Sequence, residues 1–229
     1  MVPGKAVRAE RAGTTRELIL ATAERLFAEH GVYAVSNRQV SEAAGQGNNA
    51  AVGYHFGTKA DLVRAITRRH TERIELTRAR MVDRVPAGAP ARDWVECLVR
   101  PFTEHLAALG NPTWFARFGA QVMTDPALRG IMVEESMSDP SLHRILHGLN
   151  RCLPGLPADV RAERDDMARQ LMVYMCAERE RALAEGTPTP RESWRDAGTG
   201  LIDAIVGLWF AAVTPHPANA KPENTKGND

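Results

Sequence analysis

The side chains best placed for chemistry lie between residues 36 and 59, Ser-Asn-Arg-Gln-Val-Ser-Glu-Ala-Ala-Gly-Gln-Gly-Asn-Asn-Ala-Ala-Val-Gly-Tyr-His-Phe-Gly-Thr-Lys. The stretch reads as a short helix, a glycine-bearing turn and a second short helix ending in Tyr54-His55-Phe56. Two small helices on a tight turn suit the reading of duplex DNA, because the second can lie in the major groove. Asparagine pairs bidentately with adenine and an alanine methyl packs on thymine, which makes Asn48, Asn49 and Ala50 candidate base readers, with Gly53 allowing close approach. Arg38 and Gln39 can reach a neighbouring base, arginine favouring guanine. Blander readings compete at several of these positions. Asn48 or Asn49 also suits a helix cap, Gln39 also suits a capping box with Ser36, and Tyr54 also suits a half-buried site with its hydroxyl at a polar edge.

Elsewhere the chemistry is sparse. His143 and His147 stand four apart, a spacing that can bind a metal, but no third ligand follows in a recognisable pattern, so a surface pair is expected and no metal or other cofactor. Glu104-His105 is an isolated pair. There is no nucleophile elbow, phosphate loop or His-Glu-x-x-His, which argues against an enzyme. Cys97, Cys152 and Cys176 are odd in number and far apart; they are expected as thiols in or near the core.

The elements that must position the 36–59 segment are helical, and strand signals are nearly absent. Ile19, Ala23, Leu26 and Phe27 form one apolar face over 15–30, which Gly31 ends. Ser36 with Gln39 and Thr58 with Asp61 are capping boxes, and Val35 with Val40 can staple the first of them. From Thr58 a long helix carries the stripe Val63, Ile66, His70, Ile74. Pro86-Ala87-Gly88-Ala89-Pro90 is the clearest break, and Asn111-Pro112, Asp125-Pro126 and Asp139-Pro140 announce further helices. A long helix over 159–185 is closed by Gly186. Thr189-Pro190-Arg191-Glu192 is expected to open the last helix, running to about Val213 and apolar almost all round. Such a helix needs cover on more than one side, most simply from a second copy of the chain.

Composition sets the outer limits. Of the 229 residues, 44% are hydrophobic and 25% charged, the profile of an ordinary globular protein. No apolar run approaches the roughly 18–20 residues that span a bilayer, and no apolar core follows the basic N-terminus, so a cytoplasmic protein is expected. Residues 1–80 hold 13 Lys+Arg against 8 Asp+Glu, whereas the rest hold 16 against 20. A basic N-terminal third on an acidic remainder suits a polyanion-binding module attached to a carrier.

Residues 15–66 resemble the tetracycline-repressor (TetR) family of bacterial transcription regulators. The likeness is carried by Leu26-Phe27 and His30-Gly31, then Val40-x-x-Ala43-Ala44-Gly45, then Tyr54-His55-Phe56-x-x-Lys59-x-x-Leu62. It implies an all-α fold: an N-terminal three-helix helix-turn-helix DNA-binding domain over 14–60, and a larger C-terminal helical ligand-binding and dimerisation domain over 61–214. A flexible basic arm (1–13, with Lys5, Arg8 and Arg11) and a disordered tail (215–229) are expected to flank them. By the same resemblance Tyr54 and His55 contact phosphates, Phe56 packs inside, Lys59 adds a charge at a helix N-terminus, and Ser36 and Arg38 meet phosphates or base edges. The step from Gly45 to Phe56 is one residue longer than is usual in the family, and Gly47 is expected to absorb the extra residue with a positive φ.

For the larger domain the resemblance implies a small-molecule effector and a homodimer. The aromatic and methionine side chains Trp94, Phe102, Trp114, Phe115, Phe118 and Met132 point to an apolar ligand, each of them also a plausible core residue. Leu171, Met175, Leu201, Ile205, Leu208 and Trp209 are the expected dimer contacts. The function implied is a dimeric repressor that binds a palindromic DNA operator and is released by its ligand. The alternative is a sequence-specific DNA-binding regulator with no small-molecule ligand.

Overall fold

The computed structural model describes residues 3–214 apart from Asn49 and Pro154, with side chains from residue 13 onward. The expected disorder of 215–229 lies outside the described residues. Within them the chain is built from helices: α1 (Pro3–His30), α2 (Asn37–Ala43), α3 (Ala51–Phe56), α4 (Lys59–Val82), α5 (Ala91–Leu109), α6 (Phe115–Thr124), α7 (Pro126–Met137), α8 (Pro140–Cys152), α9 (Ala158–Glu185) and α10 (Trp194–Phe210). No described helix is long and apolar enough to cross a membrane.

Local sequence explains most boundaries. Both N-terminal capping boxes form, Ser36 with Gln39 and Thr58 with Asp61. Asp125 Oδ1 accepts from the backbone N–H groups of Ala127 and Leu128, with Pro126 in the first turn of α7. Three expectations change. The 1–13 segment, read as a flexible arm, is helical from Pro3, in keeping with its run of strong helix formers from Lys5 to Ala12. Asn111-Pro112 does not start a helix: its peptide is cis, α6 begins at Phe115, and the Asn111 amide donates to Leu183 O. The last helix starts at Trp194 rather than Pro190, because Ser193 Oγ accepts from Asp196 N whereas Thr189 turns its hydroxyl to Arg191 O.

A single apolar cluster runs from Ile19 in α1 to Trp209 in α10. Within it α10 lies on α5, α9 on α6, and α1 on both α4 and α6. Phe27 of α1 and Phe118 of α6 stack with ring centres 6.4 Å apart. One buried carboxylate joins α9 to α6. Glu180, 1% exposed, accepts from the N–H groups of Ala116 and Arg117 and from Arg117 Nε, at 3.0, 2.9 and 3.1 Å. It caps α6 from another helix, and its burial raises its pKa against the pull of those donors.

The apolar excess of α10 is absorbed largely by its own chain, which corrects the expected dimer contacts. Leu201, Ile205 and Trp209 are buried, and Leu208 is partly so. Trp209 Nε1 donates to Asp165, while Arg164 donates to Trp209 O, pinning the end of α10 to α9. Of the expected contacts, Met175 is exposed and Leu171 half-buried. Met167, Leu171, Tyr174 and Met175 share one stripe of α9, and Phe210 is exposed at the end of α10.

Candidate nucleic-acid interface

The α2–turn–α3 unit is set by a few short-range contacts. Val40, Ala44, Ala51 and Val52 are buried beneath it and Ser36, Arg38, Asn48, Ala50, Gly53 and Tyr54 face solvent. The buried Ser41 hydroxyl accepts from Val52 N at 3.4 Å, joining α2 to α3 beneath the exposed face. Nothing in the local sequence pattern singled out Ser41. The positive φ that turns the chain belongs to Gly45 (66°), while Gly47 has none, so the expected role of Gly47 is corrected. Further along the turn, Asn48 Oδ1 accepts from Ala50 N at 2.9 Å and Asn48 O from Ala51 N at 3.0 Å, so the Asn48 side chain braces the entry to α3. Ala50 is the N-cap of α3 and makes no side-chain cap bond. Asn49 lies outside the described residues.

The expected contact residues therefore differ in how free they are. Ser36 and Gln39 are tied to each other, with Gln39 Oε1 accepting from Ser36 N and Oγ, each at 2.8 Å. That leaves the Gln39 amide N–H groups as its only means of touching a base. Arg38 pairs with Glu42 at 2.7 Å, an exposed pair worth little and easily exchanged for a phosphate or guanine. Tyr54 is 82% exposed and meets the half-buried His55 ring edge-on, at 5.1 Å between centres. Phe56 is partly buried beneath Arg16, whose guanidinium stands 4.8 Å from its ring centre.

Lys59 departs from its expected role as a free charge. Its Nζ donates to Val32 O at 3.0 Å and Val35 O at 2.5 Å, clamping the α1–α2 turn to the start of α4, and burial lowers its pKa.

The expected ligand residues lie at different places in the larger domain. Phe115 stacks on Phe118 with ring centres 6.4 Å apart, and Phe102 meets Phe115 at a tilt of 57° with centres 6.0 Å apart. Trp94 lies across Gly148, between α5 and α8, at the floor of an open groove of about 340 Å³ that His143, Arg144, His147 and Arg151 also line. The Met132 methyl approaches Gly119, and Trp114 is the N-cap residue of α6. His143 Nε2 donates to Met137 O at 2.7 Å, and no group of three His, Cys, Asp or Glu side chains placed to hold a metal ion occurs among the described residues. Cys97 and Cys176 are buried thiols, pushed up to about 11 and about 12 chiefly by desolvation.

A second feature escaped sequence reasoning. Glu24 of α1, His70 of α4 and His105 of α5 form a buried hydrogen-bonded chain behind the reading unit. The stripe on α4 included His70, but its partners lie 46 and 35 residues away in sequence.

Comparison with known proteins agrees with this architecture. Residues 19–66 match the model of bacterial regulatory proteins of the tetR family, and residues 96–207 match that of the tetracyclin repressor-like C-terminal domain. The TetR family transcriptional regulator PfmR from Thermus thermophilus superposes with a TM-score of 0.52 at 18% identity, over 86% of this chain and 96% of that one. A TetR family transcription regulator from Marinobacter aquaeolei superposes with a TM-score of 0.57 at 16% identity, over 86% and 97%. No curated protein sequence matches the chain. At such identities the superpositions speak for the fold, while the two sequence matches cover the reading unit and the larger domain, and this chain belongs to the TetR family of transcription regulators.

Proposed function

We propose that the protein is a homodimeric repressor that binds a palindromic operator and is released by a small apolar effector. The observation that carries the DNA-binding part is the two-sided character of α2 and α3. Their apolar sides are buried and their outward side offers Arg38, Gln39, Ala50, Gly53 and Tyr54 together. Asn48 and His55 flank that surface, with Ser36 at its edge. The small residues Ala50 and Gly53 let the backbone approach base edges, while Arg38, Tyr54 and His55 supply donors for phosphates. Lys59 belongs to the scaffold of this surface rather than to its contacts.

The α9 stripe Met167, Leu171, Tyr174 and Met175, with Phe210, supports a two-fold interface of α9 and α10. Such an interface would hold two reading heads about one DNA turn apart, roughly 34–36 Å. An effector that parts the aromatic layer Phe102, Phe115 and Phe118 would displace α5 and α6 against α1 and α4. It relieves repression only if it binds the DNA-incompetent arrangement more tightly. The close packing of that layer also favours a second reading, a regulator with no small-molecule ligand.

The deciding experiment titrates the purified protein, across salt, against DNA from immediately upstream of its own gene and against random competitor. A competitor-resistant, palindromic footprint is expected. Equal binding to every sequence at all salt concentrations, there and in selection from random DNA, overturns the operator reading. Screening apolar compounds for release of the footprinted DNA then separates the two ligand readings.

A further inference from the structure

The interior between the reading head and the larger domain contains a polar chain that core packing does not require. Glu24, His70 and His105 are 7%, 2% and 9% exposed. His70 Nε2 donates to Glu24 Oε2 at 2.8 Å, and one shared proton joins His70 Nδ1 to His105 Nε2 at 2.7 Å. The His70 ring is also stacked face to face on Phe115, with centres 3.8 Å apart and planes 12° from parallel. A single imidazole in α4 is thus held by α1 on one edge, α5 on the other and α6 on its face.

That placement has a mechanical consequence. α4 begins beside the recognition helix, and α1 is the scaffold on which α2 and α3 sit. A displacement of α5 or α6 reaches the reading head by way of this ring, because apolar contacts slide while hydrogen bonds to buried partners do not. Breaking the chain strands a ring nitrogen away from water, so the joint has a preferred geometry rather than a continuum of geometries.

We propose that Glu24, His70 and His105 are positioning residues for operator binding, a buried joint that sets the angle between the reading head and the larger domain. The proposal rests on the operator-binding reading above. The charged groups facing it are Glu24 from α1 and Arg69 and Arg73 from α4, while α6 presents the apolar Phe115. Burial, His70 and the two arginines hold the His105 imidazole neutral, with its pKa lowered to about 4, so the bond to His70 keeps its single proton at neutral pH.

The test compares wild type, His105→Leu and His105→Gln. Leucine fills the space but cannot bond to His70, whereas the glutamine amide offers both a donor and an acceptor and can meet Nδ1 whichever ring holds the shared proton. At pH 7.5, His105→Leu should weaken binding to the footprinted operator about tenfold while non-specific DNA binding at low salt is unchanged, and His105→Gln should restore binding to within about threefold. Equal operator affinity in all three, or parallel loss of specific and non-specific binding in both variants, overturns the joint. Amide hydrogen exchange supplies a readout independent of any operator. Faster exchange confined to residues 17–30 and 59–75 of His105→Leu supports the joint, and a uniform increase through α9 and α10 overturns it. Should wild type prove to have no operator, the functional reading fails while the exchange result still decides the joint.

Discussion

Lys59→Met is the sharpest probe of the reading head, because the geometry and the family resemblance assign its charge to different partners. In the structure the ammonium donates to Val32 O and Val35 O and leaves little free for a phosphate. Each charge-assisted bond of this kind contributes roughly 1.5–3 kcal/mol when buried, and the part-exposed setting brings the two together to about 2–3 kcal/mol. For a chain of this length that corresponds to a fall in Tm of about 5–10 °C. Methionine keeps the apolar stem, so the loss reports the ammonium. The assay pairs thermal unfolding with operator affinity measured across salt. A direct phosphate contact contributes about 0.9 to the slope of log K against log salt, and Lys59→Met should leave that slope unchanged. Arg38→Met serves as the contrast: its exposed guanidinium should cost about one unit of slope and little stability. A Lys59→Met protein with unaltered Tm and a slope reduced by about one would refute the clamp and return the charge to the DNA backbone.

Further expectations concern the dimer, the core and acid. Met175→Glu, on the exposed α9 stripe, should give folded monomers in sedimentation, whereas Trp209→Glu should unfold the protomer itself; a stable Trp209→Glu monomer would contradict the burial of that indole. Gly148→Ala would place its methyl carbon 2.3 Å from the Trp94 ring, so a loss of roughly 1–3 kcal/mol is expected in denaturant unfolding, with an altered tryptophan emission. His105 binds protons more weakly folded than unfolded, so its contribution is fully present above about pH 6.5 and is lost as pH falls towards about 4. That lowering corresponds to roughly 3 kcal/mol, and comparing the pH–stability curves of wild type and His105→Gln should show wild type losing that much more across the window.

What was legible in the sequence was local. Ser36 with Gln39, Thr58 with Asp61, and Asp125 with Ala127 and Leu128 are bonded within three residues, so spacing alone predicts them. The Tyr54-His55-Phe56-x-x-Lys59 signature located the reading unit for the same reason. Partners chosen by the tertiary fold were not legible. The acceptors of Lys59 lie 24 and 27 residues back, and Glu180 reaches α6 across more than 60 residues. The all-round apolar character of α10 established that it is covered, but apolarity carries no label for what covers it; α5 and α9 of the same chain do most of it. In the turn, composition offered two glycines and the backbone gives the positive φ to Gly45, while the Asn48 side chain bonds to Ala50 N; spacing alone does not say which glycine turns.

The seating of α1 on α6 bears on how freely regulators of this kind can exchange parts. Phe27 stacks on Phe118 and Glu24 reaches His70, so the first helix of the reading head is also a wall of the larger domain. A cut after residue 60 would open that wall and expose the apolar side of α1. A hybrid carrying a relative's DNA specificity on this chain should therefore be spliced through the outward faces of α2 and α3 alone, leaving Glu24, Phe27 and all of α4 native. In a lineage where genes recombine, operator preference can then drift by surface substitutions in a short stretch, while the first helix stays bound to whatever its own larger domain has become.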